Sequence, residues 1–476
     1  MSDIRTQWLA LLQKYRLSPD RPDSDQFWCT RLDTASQEEL RAIQSEKLRL
    51  AVRYAYECIP FYQRKFDRLG LQPGDIRSVD DLGLIPLTTK QEMAADLAEH
   101  GPWGTYTALD DDLWVKRGWQ IFASSGTTAQ PRAFRYSQFD REQWMWTNAR
   151  AMWAMGFRPG RDSALIAFGY GPHVWLWGVH YALSLMGIPI VTAGGLESSA
   201  RARFIDRYKP TILACTPSYA LYLASVMREL NLDPAASSIR YLFCAGEPGY
   251  SIPATRRRLE ETWQAELHEF YGCTEAAPSA GGYTCQTVAA QKEGVVSTHL
   301  MEDVQIWEVV DEQMQALPDG QRGLTVVTNL CSEASPQLRF LVGDYTTLTH
   351  APCACGRTHA RAVGGMVGRA DDMLNVRGVT LFPSSIEDIV RRIPQLGAEF
   401  AIVLTKTHEL DELIVQVEVL PEVSTDRYAD LAATVEREVR SHCELRPLVE
   451  ILPQGTLPPT QFKAKRVRDL RQPGAS

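Results

Sequence analysis

Short apolar runs alternate with helical segments from about residue 120 onward, and this alternation restricts the fold more than any other feature of the chain. Four runs have the length and composition of buried strands: residues 165–168, 188–192, 211–215 and 241–245. Segments with helical periodicity, residues 218–230 and 254–264, follow the last two runs. Strands separated by helices favour a mostly parallel sheet with helices on its faces. In such sheets ligands bind beyond the carboxyl ends of the strands.

A domain boundary is predicted near residues 368–372, where a glycine and several charged residues interrupt the pattern. Beyond it, the sequence predicts two helices and two strands: residues 385–392, 400–404, 412–419 and 428–442. These are enough for a separate small domain. We therefore predict an α/β protein: a large multi-layer N-terminal domain, residues 1–370, with mostly parallel sheets, and a small C-terminal α+β domain, residues 371–476.

Residues 163–196 contain no Asp, Glu, Lys or Arg, and on length alone they would span a membrane. Prolines and glycines divide this stretch into pieces shorter than one spanning helix, so we predict buried strands and a helix instead. The chain has 50 Lys and Arg against 58 Asp and Glu, spread along its length, which argues against nucleic acid and anionic membrane as partners. Ten cysteines in 476 residues and no apolar signal segment at the N-terminus predict a reduced, cytoplasmic protein.

The segment Ser124, Ser125, Gly126, Thr127 and Thr128 follows an apolar run and combines hydroxyls with a glycine. Backbone amides in such a segment converge on phosphate oxygens, and the hydroxyls add donors. A plain turn is the alternative interpretation of these residues. The segment is not a Walker A loop, because no Gly-Lys-Ser/Thr follows it.

Further polar residues follow apolar runs downstream. Tyr271 to Glu275 offer an aromatic ring that stacks on a base, with a hydroxyl and a carboxylate for phosphate and Mg²⁺. Asp344 follows another run, where a carboxylate binds both hydroxyls of a ribose. Arg369 lies at the predicted boundary, and Lys463 lies in a basic run near the carboxyl end. Taken singly, Glu275 fits a helix start, Asp344 a turn and Lys463 a solvated surface equally well.

Four residues form a candidate metal site. Cys353 and Cys355 are two positions apart, and Cys285 and His299 lie upstream. Three thiolates and an imidazole suit tetrahedral Zn²⁺, although Cys-x-Cys is a less common spacing than Cys-x-x-Cys. Reduced thiols in a turn are the alternative.

In this order along the chain, the motifs resemble the adenylate-forming superfamily, the acyl-CoA synthetases and their relatives, and most closely its phenylacetate-coenzyme A ligase branch. The resemblance covers about residues 40 to 470. Shorter matching pieces are collinear with the motifs: residues 59–62, 86–90, 180–181, 216–219, 246–248, 377–379 and 382–383. The resemblance implies a two-step reaction, in which a carboxylate attacks the α-phosphate of MgATP and the thiol of coenzyme A then displaces AMP.

It also implies a role for each matched residue. The nucleotide-binding set is Ser124 through Thr128 at the β- and γ-phosphates, Gly246, Glu247, Pro248 and Tyr271 around adenine, Gly272 beside Tyr271, Asp344 at the ribose and Arg369 at ribose or phosphate. The catalytic set is Thr274 at the α-phosphate, Glu275 at Mg²⁺ and Lys463 on a mobile C-terminal domain. Asp371 would be the hinge of that domain. Some relatives carry a structural zinc at positions that match Cys285, His299, Cys353 and Cys355.

The chain departs from the family pattern at three places. Gln130 stands where the phosphate loop usually has a lysine, with Arg132 as a stand-in, and Phe462 replaces the glycine that usually precedes the last lysine. In the run that borders the acid, Trp175 and Leu176 replace two glycines. We expect the acid to contact Tyr170, His173 and Trp175, and also Tyr136 near the phosphate loop, and to be a flat aromatic acid.

The leading hypothesis is an ATP-dependent ligase that joins an aryl or arylacetic acid to coenzyme A and releases AMP and pyrophosphate. The expected cofactors are ATP, Mg²⁺ and coenzyme A, with a structural Zn²⁺ as a candidate. The expected partner is an aromatic carboxylic acid, with a homodimer as the candidate assembly. One alternative keeps the adenylation but passes the acyl group to an amine or a carrier protein. Another is a non-catalytic nucleotide- or metal-binding protein.

Overall fold

The structure is a computed structural model that describes residues 3–123, 132–169, 171–291, 296–366, 368–377, 379–407, 410–460 and 464–471, without the side chains of residues 277, 279, 280, 371, 407 and 410. The α-helices are α1 (Ile4–Lys14), α2 (Thr30–Asp33), α3 (Gln37–Cys58), α4 (Pro60–Leu69), α5 (Lys90–Glu99), α6 (Asp111–Arg117), α7 (Gln138–Ala154), α8 (Val174–Met186), α9 (Ser198–Tyr208), α10 (Pro217–Glu229), α11 (Pro253–Trp263), α12 (Gln286–Ala289), α13 (Pro383–Arg392) and α14 (Tyr428–Cys443).

The strands are β1 (Gly118–Ala123), β2 (Ala133–Ser137), β3 (Ala164–Ile166), β4 (Ile190–Thr192), β5 (Ile212–Cys215), β6 (Tyr241–Ala245), β7 (Glu266–Cys273), β8 (Ala277–Tyr283), β9 (Ser297–Leu300), β10 (Gln305–Val310), β11 (Arg322–Asn329), β12 (Phe340–Thr349), β13 (Arg361–Val363), β14 (Leu374–Val376), β15 (Val379–Leu381), β16 (Leu396–Thr407), β17 (Leu410–Val419), β18 (Leu448–Leu452) and β19 (Val467–Asp469). The chain divides into two compact units, Met1–Gly195 with His268–Gly365 and Leu196–Leu267 with Met366–Ser476.

The first unit contains a run of strands in the order β10-β11-β12-β13-β9-β8-β7 and a parallel pair, β3 and β4. The long strand β12 alternates buried and half-exposed residues, which is the period of a strand with one face in the core. Asp344 falls on the buried side of that alternation. The residues 86–90 extend this layer, because Thr88 makes a parallel bridge to Phe340.

The α/β class is confirmed, but the direction of the strands differs between parts of the chain. The pairs β3–β4 and β5–β6 are parallel, as predicted. The pairs β7–β8, β8–β9 and β10 through β13 are antiparallel instead of parallel. The physical reason is the short connection between β7 and β8, since residues 274–276 form a tight turn and a parallel pair needs a long crossover.

The charge-free stretch forms two strands and a helix, β3, α8 and β4, as predicted. Strand β3 is buried, but the prediction of a buried strand is wrong for β4, whose residues are half-exposed or exposed. Helix α8 ends at Gly187, whose φ of +72° in the left-handed region suits glycine. It also packs closely on α7, because a Cβ at Gly178 would lie 2.5 Å from Asn148 Nδ2. No helix among the described residues is both long and apolar enough to cross a membrane.

The second unit holds the parallel pair β5–β6 and a four-stranded sheet in the order β18-β17-β16-β19. Helices α13 and α14 contribute to the hydrophobic core of that sheet. Ile386, Ile389 and Val390 recur at the three- and four-residue spacing that places them on one helical face. Each such buried side chain contributes roughly 1.5–3 kcal/mol relative to exposure. The predicted helices and strands of residues 385–442 are therefore confirmed, with longer bounds for both strands.

Candidate functional site

The turn between β7 and β8 carries a buried carboxylate next to a cation. Glu275 is 6% exposed, and its Oε1 lies 2.8 Å from an Arg132 guanidinium nitrogen. Asn329 holds the same turn in place, since its Nδ2 donates to the carbonyl oxygen of Ala276 over 2.8 Å. A buried carboxylate is stable only when it is paired or hydrogen bonded. Arg132 thus supplies the charge that Glu275 needs, whereas its role as a stand-in for the missing loop lysine stays a prediction.

Tyr136 supports the turn between β7 and β8 through a hydrogen bond. Its hydroxyl donates to the carbonyl oxygen of Thr274 over 2.7 Å, and its ring packs against Trp144 with centroids 4.7 Å apart. The residue is fully buried, and this burial raises the pKa of the Tyr136 phenol well above its usual value. Tyr136 is therefore a neutral donor that fixes Thr274, in addition to any contact with the acid.

Two residues predicted to bind the nucleoside lie together in the first unit. The Tyr271 hydroxyl donates to a carboxylate oxygen of Asp344. Asp344 is 8% exposed and follows Gly343, whose φ of +87° lies in the left-handed region. Gly272 follows Tyr271 within β7 and is exposed. The structure thus brings together an aromatic ring and a carboxylate, next to a glycine whose backbone is exposed.

The second unit contains the turn after β6, with Gly246, Glu247 and Pro248. Glu247 accepts hydrogen bonds from the backbone N–H of Ser218 over 2.6 Å and of Ala464 over 3.1 Å. Desolvation raises the pKa of this carboxyl, and the neighbouring Glu387 raises it further. The side chain of Glu247, expected near adenine, is therefore used within the protein.

Arg369 precedes a 3-10 helix, Ala370–Asp372, that contains the backbone of the predicted hinge residue Asp371. Gly368 before it has a φ of +85°, and a Cβ there would lie 2.8 Å from the Phe382 ring, so the position requires glycine. This close approach fixes the chain where it enters the predicted small domain.

Several predicted residues lie outside the described residues: Ser124, Ser125, Gly126, Thr127 and Thr128, Tyr170, and Lys463 with Phe462. Their roles stay predictions.

The predicted wall of the acid pocket is aromatic. Trp175 packs edge-on against Phe168 with centroids 4.3 Å apart. His173 caps the start of α8, and burial lowers the pKa of its imidazole, which favours the neutral form. Sequence reasoning missed Trp119, which packs edge-on against Trp144 at 5.2 Å. Its position in an apolar run just before the phosphate loop was the available signal.

The predicted metal ligands come together in the first unit. The ligand atoms of Cys285, His299, Cys353 and Cys355 all lie within 4.8 Å of one another, and all four residues are buried. Cys285 and Cys353 sulfurs are 4.0 Å apart, and the Cys355 sulfur is 3.5 Å from His299 Nε2. Zn–S bonds of about 2.3 Å in a tetrahedron give sulfurs about 3.8 Å apart, so the spacing fits a metal.

Two of the four groups already favour the protonation state of a zinc ligand. Hydrogen bonds from the Cys285 and Cys353 thiols lower the pKa of Cys355, and burial lowers the pKa of His299, so a thiolate and a neutral imidazole are favoured there. The same thiol contacts raise the pKa of Cys285 and Cys353, so these two groups would lose their protons when a metal ion binds. All ten cysteines are free thiols in the structure, so no disulfide competes for these sulfurs.

Comparison with known proteins shows the family of the chain. The model of AMP-binding enzymes matches residues 119–330, and the model of their C-terminal domain matches residues 378–471. The phenylacetate-coenzyme A ligase of Thermus thermophilus is 33% identical over 93% of this chain and 99% of its own length. The chain belongs to the phenylacetate-coenzyme A ligase family of AMP-binding enzymes. Two further members, from Aromatoleum evansii and Pseudomonas putida, are 32% and 30% identical over 92% and 94% of the chain.

Solved structures agree with the family. A 2-hydroxyisobutyryl-CoA ligase in its postadenylation state, in complex with 2-HIB-AMP, is 30% identical and superimposes with a TM-score of 0.86 over 94% of this chain and 93% of its own. An anthranilate CoA ligase in complex with anthranoyl-AMP shares the fold at 18% identity, with a TM-score of 0.53 over 73% of this chain and 65% of its own. The family resemblance predicted from the motifs is thus confirmed.

Proposed function

We propose that this chain is an ATP-dependent ligase that joins an aromatic carboxylic acid to coenzyme A. A carboxylate oxygen of the acid attacks the α-phosphorus of ATP, and pyrophosphate leaves with the acyl-adenylate formed. The sulfur of coenzyme A then attacks the acyl carbon, and AMP leaves. The observation that carries the proposal is the Glu275 turn with its Arg132 partner and the buried Tyr136 support, in a chain one-third identical to phenylacetate-coenzyme A ligases.

The chemistry needs charge compensation more than covalent help, because phosphoryl displacement depends on positioning and electrostatics. We assign Thr274 to the α-phosphate and Glu275 to Mg²⁺, which would offset phosphate charge when bound. Arg132 already offsets the charge of Glu275, and in the sequence it is two residues after Gln130, which stands in place of the usual loop lysine. We assign Lys463 to the bridge between the acid and the phosphate, where a point charge is needed only in the first step.

The nucleoside roles rest on the neighbours seen in each unit. In the first unit, Tyr271 and Gly272 would face adenine, and Asp344, oriented by the Tyr271 hydroxyl, would accept from the ribose. In the second, the residues assigned to the nucleotide are Gly246, Glu247, Pro248 and Arg369. Ser124 through Thr128 would hold the β- and γ-phosphates with backbone amides and hydroxyls.

An aromatic acid is favoured by the ring pair Trp175 and Phe168, since an edge-on pair lines a site for a flat ring. The neutral imidazole of His173 would meet a polar substituent. A smaller branched acid is the competitor, because Trp175 and Leu176 add bulk where the family pattern has glycines.

The deciding experiment measures AMP and pyrophosphate release with a panel of acids, with and without coenzyme A. Phenylacetate, benzoate, anthranilate and 2-hydroxyisobutyrate cover flat and branched acids. Coenzyme A-dependent AMP release with an aryl acid supports the proposal. Acyl-AMP that accumulates despite coenzyme A would favour transfer to an amine or carrier protein, and no release with any acid would favour a non-catalytic binding protein.

A matched variant tests the site itself. Glu275→Gln keeps the size and the acceptor but removes the charge, and we expect adenylation to fall by roughly 100-fold or more. Glu46→Gln is the control, since this half-exposed carboxylate pairs with Lys14 on the surface of the first unit. Equal activity of both variants would contradict the role of Glu275.

We also propose that Cys285, His299, Cys353 and Cys355 hold a structural Zn²⁺, whose role would be to cross-link β9, α12 and the 353–355 turn. Elemental analysis of the purified protein should find one zinc per chain. The variant Cys353→Ser with Cys355→Ser should lose the zinc and unfold at lower temperature, whereas Cys215→Ser, a buried cysteine outside the cluster, should keep the zinc. Wild-type protein without metal would refute the assignment.

Residues 371–476 are proposed as a domain that turns about Asp371 between the two steps, supported by the C-terminal model that matches residues 378–471. Ten free thiols support a reducing compartment, and we place the protein in the cytoplasm. A homodimer stays a proposal that light scattering after gel filtration would test.

A further inference from the structure

Two carboxylates bind the chain on either side of residues 461–463. The Glu399 carboxylate accepts from the backbone N–H of Thr460 over 2.9 Å and from its hydroxyl over 2.8 Å. The Glu247 carboxylate accepts from the backbone N–H of Ala464 over 3.1 Å. Ala464 directly follows Lys463 in the sequence. The two described residues that flank the proposed catalytic lysine segment, Thr460 and Ala464, are therefore each bound by a carboxylate, and the one that binds Ala464 comes from another part of the second unit.

Glu247 makes this anchor rigid. Its other oxygen accepts from the backbone N–H of Ser218 over 2.6 Å, in the first turn of α10, where Thr216 is the N-cap. A carboxylate at a helix N-terminus is favoured by the helix dipole. Each oxygen of Glu247 thus has a backbone donor, and the carboxylate joins the end of β6, the start of α10 and Ala464.

Arg466 reinforces the contact from the other side. Its guanidinium pairs with Glu399 and lies 4.5 Å from the centre of the Phe400 ring. A second nitrogen of the same group lies 3.4 Å from the Ser218 hydroxyl. The bonds to Glu399 stay within residues 371–476, whereas the bond of Glu247 to Ala464 links residues 371–476 to the Gly246–Pro248 turn. That turn is the one assigned to adenine.

We infer that Glu247 is a positioning residue for the adenylation step. By accepting from Ala464 it holds the residue that follows Lys463 beside the Gly246–Pro248 turn, and the contact breaks when the small domain moves for thioester formation. This inference rests on the proposed function and on the assignment of Lys463 to adenylation. The bonds of Glu399 and Arg466 to residues 398–400 and 460 move with the small domain and do not oppose the motion.

Measuring the two half-reactions separately distinguishes a positioning role of Glu247 in adenylation from a role in folding or in binding adenine. Adenylation is measured by acid-dependent ATP–pyrophosphate exchange, and thioester formation by the reaction of synthetic acyl-adenylate with coenzyme A. We expect Glu247→Ala to lower the adenylation kcat by roughly 30-fold, the loss that removing a hydrogen bond to a charged group produces. The KM for ATP should change little, and thioester formation should keep its wild-type rate or exceed it. Glu247→Gln keeps one of the two acceptor oxygens, so it should recover the adenylation only in part.

Glu387→Ala is the matched control. Glu387 lies near Glu247 and raises its pKa, yet its carboxylate accepts from Arg391 over 3.4 Å and makes no bond to Ala464. We expect this variant to change neither half-reaction by more than about twofold. Hydrogen exchange gives a readout independent of activity: the Ala464 amide should exchange faster in Glu247→Ala and at the wild-type rate in Glu387→Ala.

Three results would overturn the inference. A raised KM for ATP with kcat unchanged would assign the Glu247 side chain to adenine. Equal loss of activity in both half-reactions would assign it to folding. Unchanged hydrogen exchange at Ala464 would show that the contact does not hold this residue. The proposed function fails differently, because wild-type protein would then lack exchange with every acid. In that case faster exchange at Ala464 in Glu247→Ala would still support the anchor, but its role in adenylation would be overturned.

Discussion

The strongest single test of the packing around the candidate site is the replacement of Arg150 by methionine. Arg150 lies on α7, is 1% exposed, and donates to Asp33 over 2.8 Å and to Asp303 over 2.9 Å. Its guanidinium also lies 4.7 Å from the centre of the Trp146 ring. Both carboxylates are buried. Methionine has a similar shape but no charge, so the variant removes the cation that is nearest to both buried carboxylates, and the partners that remain are Arg357, 4.0 Å from Asp33, and His359, 3.9 Å from Asp303.

The magnitude follows from the ion pairs. Burial opposes ionisation of Asp303, but the Arg150 guanidinium outweighs it and lowers the pKa of Asp303 from 3.8 to about 2. At 1.36 kcal/mol per pKa unit, this difference corresponds to about 2 kcal/mol of stability at neutral pH. Because the pKa is depressed in the folded state, that contribution is present above pH 4 and is lost as the pH falls towards 2. Removing the cation that two buried carboxylates share raises the expected loss to about 3–5 kcal/mol.

Urea unfolding followed by tryptophan fluorescence measures the loss. Arg53→Ala is the control, because its half-exposed pair with Glu57 should contribute less than about 1 kcal/mol. Adding Asp33→Asn and Asp303→Asn to Arg150→Met should recover at least half of the stability, because the uncompensated charges are then gone. The electrostatic reasoning is refuted if Arg150→Met loses no more than the control, or if the triple variant is no more stable than the single one.

Two further variants test individual hydrogen bonds. His350 lies between Glu302 and Asp319, whose hydrogen bonds outweigh burial and raise the pKa of His350 to about 9. His350→Gln should therefore lower the stability below pH 6.5, and the difference from wild type should vanish as the pH rises through 9. Urea unfolding at pH 6 and at pH 10 measures this difference. Tyr136→Phe removes the hydrogen bond to the Thr274 carbonyl and should lower the adenylation rate by about 5- to 10-fold without unfolding the protein. The pyrophosphate-release assay measures this rate, and an unchanged rate would show that the hydrogen bond does not position Thr274.

The elements that periodicity predicted are those whose own sequence favours them. Strand β6 begins and ends where the apolar run does, and α13 shows its buried face in the spacing of Ile386 and Ile389. Strand β8 has no such signal, because Ala277–Tyr283 contains no β-branched residue and two glycines. It forms because β7 and β9 pair with it from both sides. Gly282 allows β8 to lie close to β7, because a Cβ at this position would be only 3.3 Å from Tyr271 Cβ.

The candidate site was predictable in its residues but not in their partners. The apolar runs before them pointed to Glu275 and Asp344, the family resemblance added Glu247, and the roles of all three stay predictions. Which donor each one meets depends on side chains distant in sequence, and a linear pattern contains no such information. The metal ligands were the exception. Thiols and imidazole are the side chains that bind Zn²⁺, so the grouping of these four residues was predictable before their distances were known.

The partners nevertheless decide what each carboxylate does. Arg132 binds Glu275 through Oε1, so a metal ion at Glu275 would bind the other carboxylate oxygen or share Oε1 with the guanidinium. Asp344 accepts from the neutral Tyr271 hydroxyl, which orients the carboxylate without cancelling its charge and leaves it suited to ribose hydroxyls. Glu247 is bound by backbone amides, and such bonds hold a segment in register rather than bind a substrate. Three carboxylates that look alike in the sequence are therefore expected to bind metal, bind sugar and position the chain.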